Sequence, residues 1–254
     1  MTDPAILLLT ATAMEMRAVI QGLRLDTPVP PPGTCVSGVV RDIPVQLTLT
    51  GIGPLAAAFA AGRLIGEKSL TPNRCRGLLC LGIAGTYVPN TAPIGSIVVA
   101  SRETWPEYGL VTEDGINAEA LGFPLLGKKT DTDLPPVWDS LPLDPAAALA
   151  YMGLNDLTTA PHMAENPLVL GGSSLTVAGV SGTRSRARHL AARYAAMTEN
   201  MEGFPLALAA HDAGLPFAQI RSISNIVGDR TPEAWNIPAA LAALTRATEL
   251  LFLR

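Results

Sequence analysis

Two carboxylates and one carboxamide, far apart in the chain, are the residues on which chemistry could be built. Glu15 follows a short apolar run, Ala5 to Thr10, and falls where the spacing from Met14 to Leu23 predicts a helix. Near a helix start the macrodipole favours an ionised carboxylate, which can accept a proton from water. A Glu there also serves its own helix, so Glu15 taken alone fits both roles. Met201-Glu202 stands between the strand-like stretch Ala196 to Met201 and the Ala- and Leu-rich helix expected over Glu202 to Ala213. A carboxylate at that junction accepts two hydrogen bonds from a vicinal diol such as that of ribose; the plain alternative is a helix N-terminal Glu with Met201 as core filler. Asn225 comes as the strand read over Phe217 to Ser224 ends and Ile226 to Arg230 leave the sheet. Its amide both donates and accepts, matching the O6 and protonated N7 of a departing 6-oxopurine, whereas the structural alternative is a turn-forming Asn. Together these groups suit hydrolysis of an N-glycosidic bond, whose oxocarbenium-like transition state is stabilised by carboxylates while one of them activates water.

Such a site requires strand ends that converge. Ala5 to Thr10 and Met14 to Leu23 read as strand and helix. Cys35 to Val40 and Ile43 to Thr50 read as paired strands, followed by a turn at Gly51-Ile52-Gly53-Pro54 and a helix over Leu55 to Gly66. Gly77 to Leu81 and Ser96 to Ala100 are buried-strand candidates, with Gly82-Ile83-Ala84-Gly85 expected as a sugar-lining turn after the first. Those glycines lack the Lys-Ser/Thr of a P-loop and the spacing of a dinucleotide fingerprint. From Trp105 to Glu165 the pattern dissolves, apart from a helical piece at Pro145 to Met152, which suggests a substrate-facing excursion. Ser174 to Val180 reads as a strand, Arg184 to Tyr194 as a helix and Ile237 to Leu253 as a closing amphipathic helix. The alternation predicts an α/β fold with a central mixed, largely parallel sheet covered on both faces, forming one domain over residues 1–254. Ligands then gather at strand C-terminal ends.

Composition narrows the partners. Of 254 residues 48% are hydrophobic and 16% charged, with a net charge of -4, so the chain can fill a large core but offers no basic face for nucleic acid. No apolar run approaches the length of a membrane span, and the MTDP start lacks a basic n-region, so neither membrane insertion nor a signal peptide is expected. Cys35, Cys75 and Cys80 lack metal-ligand spacing, and a reducing cytoplasm fits them. His162, His189 and His211 are scattered and read as surface or packing residues. The arginines at 184, 186, 188 and 193 read as a solvated helix face, although Arg184, just behind Ser181-Gly182-Thr183, is placed to meet an anionic group of a substrate.

Taken together, LLLTATAME, LTGIGPLAAA, LGIAGTY, NMEG and RSISNIVGDR resemble the nucleoside phosphorylase and nucleosidase superfamily, in its methylthioadenosine/adenosylhomocysteine nucleosidase branch, along nearly the whole chain. Within that branch VSGT, NMEGF and SISNIVGDRTPEAWNIP look most like the futalosine hydrolases. The resemblance implies a three-layer α/β/α fold, base release from a nucleoside by water, no metal or organic cofactor, and a homodimer. It implies Glu15 as the water-activating residue, Met201 and Glu202 as the ribose pair and Asn225 at the base-recognition position. Adenine-releasing members carry Asp at that last position, so Asn225 departs toward 6-oxopurines. Ile52, Ile83, Ala84 and Gly85 would line the site with Ser181, Gly182 and Thr183 from the base-stacking loop. Trp235 or Tyr108 would supply the facing ring, and Arg184 would meet a carboxylate on the sugar extension. The alternatives are an adenine-releasing nucleosidase, a phosphorylase using phosphate in place of water, and a non-catalytic nucleoside binder.

Overall fold

Every residue of Ala5–Thr10 is buried, which only a strand covered on both faces can achieve. The computed structural model describes residues 3–67, 69–113, 115–128, 135–159 and 166–252. Its strands are β1 (Ala5–Thr10), β2 (Cys35–Val40), β3 (Ile43–Leu49), β4 (Cys75–Thr86), β5 (Ile97–Thr104), β6 (Leu110–Thr112), β7 (Gly115–Asn117), β8 (Ser140–Pro142), β9 (Val169–Thr176), β10 (Thr198–Asn200) and β11 (Phe217–Ile226). Its helices are α1 (Ala13–Leu23), α2 (Pro54–Gly66), α3 (Pro145–Met152), α4 (Arg184–Tyr194), α5 (Gly203–Ala213) and α6 (Ile237–Phe252).

The period of two along β1 divides the core. Ile6 and Leu8 pack with Met16 and Val19 of α1 and Leu244 and Leu251 of α6. Leu7 and Leu9 face the opposite way, into Ala57, Ala61 and Leu64 of α2 and Phe204, Ala207 and Ala210 of α5. Two helical layers on one mixed sheet result, the three-layer α/β/α arrangement that the resemblance implies, with the sheet covered on both faces as the alternation of elements predicts. The sheet runs β10-β9-β5-β11-β4-β1-β3-β2, with β8 added to β5. Pairings of β1 with β3 and β4, of β4 with β11, and of β9 with β5 and β10 are parallel; β2–β3, β5–β11, β5–β8 and β4–β10 are antiparallel. Because β10 pairs with β4 as well as β9, that end of the sheet curls back on itself. This closure, invisible in the sequence, decides which side chains meet.

Several boundaries differ from expectation. The strand expected to stop at Leu81 continues to Thr86, so Gly82-Ile83-Ala84-Gly85 is strand and not turn. The strand expected over Ser174 to Val180 lies at Val169–Thr176, where β5 pairs with it, and Val177 onward is connecting chain. Within the Trp105 to Glu165 excursion β8 joins the sheet and β6 and β7 form a separate hairpin. His162 and Leu253 lie outside the described residues. Among the described residues no helix is long and apolar enough to cross a membrane.

Candidate active site

The C-terminal ends of β1, β4, β10 and β11 meet at a cavity of about 300 Å³, at the lower end of the range for small-molecule sites. Its wall includes Glu15, Ile52, Ile83, Ala84, Gly85, Met201, Glu202, Asn225 and Trp235, together with Val180, Glu199, Asn200 and Ser224.

Glu15 enters from α1. Thr12 caps that helix, and Glu15, its third residue, completes a capping box. Glu15 Oε2 accepts from the Thr12 amide at 2.9 Å and the Thr12 hydroxyl at 2.7 Å. The helix-serving role is therefore real, but Oε1 does something more: it accepts the Ile83 amide of β4 at 2.9 Å. The carboxylate is thus tied to two strand ends. Gly82 makes this approach feasible, since a Cβ there would lie 2.7 Å from Glu15 Oε1 and 2.5 Å from Arg221 Nη1.

Glu202 sits before α5 without capping it. Asn200 takes that duty, its Oδ1 accepting the Glu202 amide at 2.9 Å and the Gly203 amide at 2.7 Å, while the Thr176 hydroxyl accepts the Phe204 amide at 2.7 Å. Relieved of the cap, Glu202 Oε1 accepts the Gly53 amide at 3.1 Å and Oε2 lies 3.4 Å from Arg221 Nη2. Burial pushes the Glu202 carboxyl up from its ordinary value, and the Arg221 charge opposes the rise.

Arg221 is the largest fully buried side chain, 1% exposed in the middle of β11. Its Nη2 donates to Asn200 Oδ1 at 3.1 Å. Burial works against the guanidinium charge, and the anionic surroundings supplied by Glu202, Glu15 and Glu103 outweigh it. Behind it Glu103, wholly buried, accepts from Thr176 Oγ1 at 2.7 Å and Asn200 Nδ2 at 2.9 Å and also from Gln219 Nε2. Burial raises the Glu103 carboxyl as well.

Asn225 lies at an irregularity where β11 shifts register against β4 after Ile223. Its Oδ1 accepts the Ser224 hydroxyl at 2.8 Å, which fixes the orientation of the amide. Among the described residues no protein acceptor holds its Nδ2 donors. Nδ2 would stand 2.9 Å from a Cβ at Gly85, so the missing side chain leaves the amide room. Trp235 bridges to Asn225, is anchored by Nε1 donating to the Asp229 carbonyl at 3.2 Å, and lines the cavity.

Other expected residues are placed elsewhere. The loop after β9 reaches the cavity wall through Val180, not through Ser181, Gly182 or Thr183. Ser181 faces Glu199, donating its amide to Oε1 at 2.8 Å and its hydroxyl to Oε2 at 2.6 Å, while Thr183 caps α4. Arg184 does not reach the cavity: it pairs with Asp229 Oδ2 at 2.6 Å and holds that carboxyl down at about 2. Tyr108 stacks on Trp105, away from the cavity wall. Arg221, Glu103, Asn200 and Glu199 escaped sequence reasoning. The one available signal was a charged residue inside the apolar strand stretch FAQIRSIS, because arginine is rarely fully buried without a partner. Among the described residues no cluster of three or more His, Cys, Asp or Glu side chains is arranged to hold a metal.

The phosphorylase superfamily model matches residues 5–252. Futalosine hydrolase of Streptomyces coelicolor is 36% identical over 248 residues, covering 95% of this chain and 92% of that protein. Among solved structures, futalosine hydrolase of Helicobacter pylori superposes with a TM-score of 0.70 at 19% identity, covering 97% of this chain and 95% of that one. The methylthioadenosine/adenosylhomocysteine nucleosidase of the same organism, crystallised with butyl-thio-DADMe-Immucillin-A, gives a TM-score of 0.70 at 19% identity over 98% and 97% of the two chains.

Proposed function

The chain belongs to the phosphorylase superfamily and, within it, to the futalosine hydrolase family, and from that premise we propose that this N-glycosyl hydrolase cleaves futalosine to dehypoxanthine futalosine and hypoxanthine, a step of alternative menaquinone biosynthesis. The observation that carries this function is the convergence of Glu15, Glu202 and Asn225 on one cavity.

Glu15, held by three donors, takes a proton from a water whose oxygen attacks C1′ of the ribose. The C1′–N9 bond breaks and its electron pair leaves with the purine. Glu202 accepts from the ribose hydroxyls and stabilises the oxocarbenium-like transition state, with Met201 against the sugar. Asn225 has no proton to give up, so its Nδ2–H stabilises the departing 6-oxopurine by hydrogen bonding and solvent supplies the final proton. An adenine-releasing enzyme gains from an acid at that position, which disfavours methylthioadenosine as substrate. Phosphate as nucleophile is disfavoured too: the described cavity wall carries Glu15, Glu199 and Glu202 but no Lys or Arg.

The working unit we propose is a cytoplasmic homodimer joined through α2. Ile52 is 65% exposed while lining the cavity, and Leu55 and Phe59 continue the same apolar strip, exposed at 85% and 77%. Sedimentation of wild type against Phe59→Glu tests the assembly, a monomeric wild type refuting it. The function itself is tested by incubating purified protein with futalosine in phosphate-free buffer, with methylthioadenosine and inosine in parallel. Hypoxanthine released from futalosine alone is expected. Base release that requires phosphate would make the chain a phosphorylase, and adenine from methylthioadenosine would contradict the role given to Asn225.

A further inference from the structure

The carboxylate of Glu199 is unused by this mechanism although Glu199 lines the cavity. It is 7% exposed and accepts from the Ser181 amide at 2.8 Å, the Ser181 hydroxyl at 2.6 Å and the Tyr87 hydroxyl at 2.6 Å. An ionised carboxylate has roughly four acceptor positions, so three donors leave one for a ligand.

The sheet closure fixes where that carboxylate stands. Gly85 of β4 is paired with Glu199 on one side and with Asn225 on the other. Directly paired residues of neighbouring strands project to the same face of a sheet. Glu199 and Asn225 therefore rise on one face, flanking a residue without a side chain, at two inter-strand spacings or about 10 Å between backbones. A Cβ at Gly85 would already press on Asn225 Nδ2 at 2.9 Å and on Val227 Cγ2 at 2.7 Å. Carboxylate and carboxamide thus flank a cavity-lining residue that has no side chain of its own, with Val227 packed against it.

We propose that Glu199 is a specificity-determining residue, its carboxylate accepting the N1–H of a 6-oxopurine whose other edge meets Asn225. The assignment rests on the cavity taking a 6-oxopurine, as in the function proposed above, but not on which nucleoside carries it. A 6-oxopurine bears hydrogen on N1, whereas adenine presents a lone pair there. The same carboxylate hence attracts one base and repels the other. Ser181 and Tyr87 hold it in place, and burial together with the Glu199 charge pushes the Tyr87 hydroxyl up from its ordinary value, keeping it a donor.

Calorimetric binding of the free bases hypoxanthine, adenine and 1-methylhypoxanthine to wild type, Glu199→Gln and Ser181→Ala tests this. Wild type should prefer hypoxanthine to both others by roughly 10- to 100-fold, the size of one hydrogen bond to a charged group. Glu199→Gln, which keeps the shape and can still bond Ser181, should lose most of that preference, chiefly through weaker hypoxanthine binding. KM for futalosine should rise more than kcat falls. Ser181→Ala, which removes one brace, should retain the order of preference. Equal weakening toward all three bases in Glu199→Gln, or the same loss of preference in Ser181→Ala, would reduce Glu199 to a loop brace and overturn the proposal. A wild type without preference for hypoxanthine over adenine overturns it even if futalosine is hydrolysed. A wild type with the preference but no futalosine hydrolysis leaves Glu199 in its role and refutes the substrate instead.

Discussion

The sugar end and the base end proposed for the cavity are built on different principles. At the sugar end Glu15, Glu202 and Arg221 are buried, and Glu103 behind them is bound by Thr176, Asn200 and Gln219. At the base end a single carboxylate, Glu199, braced by Ser181 and Tyr87, stands with a neutral amide oriented by one hydroxyl, a ring held by one carbonyl and a loop that touches the cavity through Val180. The contrast follows the chemistry. Charge develops on the sugar in any glycosidic cleavage, and preorganised groups stabilise it without rearranging during the reaction. The base is recognised by a few hydrogen bonds, and exchanging one of them changes the choice of base while leaving the catalytic charges intact. Breaking the sugar end should therefore cost stability and turnover together, whereas changes at the base end should redirect the enzyme.

The largest effect is expected at Arg221. Removing it as Arg221→Met strands buried carboxylates, and loss of one partner from a buried ion pair typically destabilises by about 3–5 kcal/mol. Urea denaturation should show that loss along with abolished turnover; a stable, active variant would mean the network is not what holds the sugar end. Glu15→Gln comes next. Glutamine can still complete the capping box but then sets its NH2 against the Ile83 amide, so the melting temperature should fall modestly while kcat falls by roughly 10²-fold or more. A smaller change, Asn225→Asp, supplies an acid and removes two donors. Hypoxanthine release should fall about 10- to 100-fold and a low adenine release from methylthioadenosine should emerge, low because Glu199 still faces N1 of adenine. Loss of hypoxanthine release with no adenine release emerging would erase the proposed division between the two ends.

The same division marks what was legible in the sequence. Glu15, Glu202 and Asn225 stand out because each is a polar residue placed as an apolar strand gives way, a local pattern that survives without the fold. Arg221, Glu103 and Glu199 acquire meaning only through register: Glu199 meets Gly85 because β10 folds back onto β4, and no local periodicity encodes that pairing. The glycines at 82 and 85 misled for a related reason. Glycine is a frequent turn residue, but in β4 the two serve close approach by Arg221 and Asn225, more than 100 residues away, and by Glu15 of the first strand–helix unit. Arg184 shows the converse error, a local cluster of arginines with a free-looking first member whose partner, Asp229, comes from a distant loop.

The smallest expected effect separates stability from activity by pH. Burial raises both Glu202 and Glu103 above their ordinary value of 4.5. Between that value and the raised ones these two groups hold protons in the folded chain that the unfolded chain has released, so their contribution to stability falls as pH rises through the window. Turnover should move the other way, because the role proposed for Glu202, accepting ribose hydroxyls, is best served by the ionised carboxylate. Melting temperature and kcat/KM followed from about pH 4 to about pH 8 should accordingly run in opposite directions over the lower part of that range. Glu202→Gln should flatten the stability slope only in part, since Glu103 keeps its share. If stability and kcat/KM instead climb together, the sugar end is held by its ionised carboxylates, and burial has not set the protonation of the site.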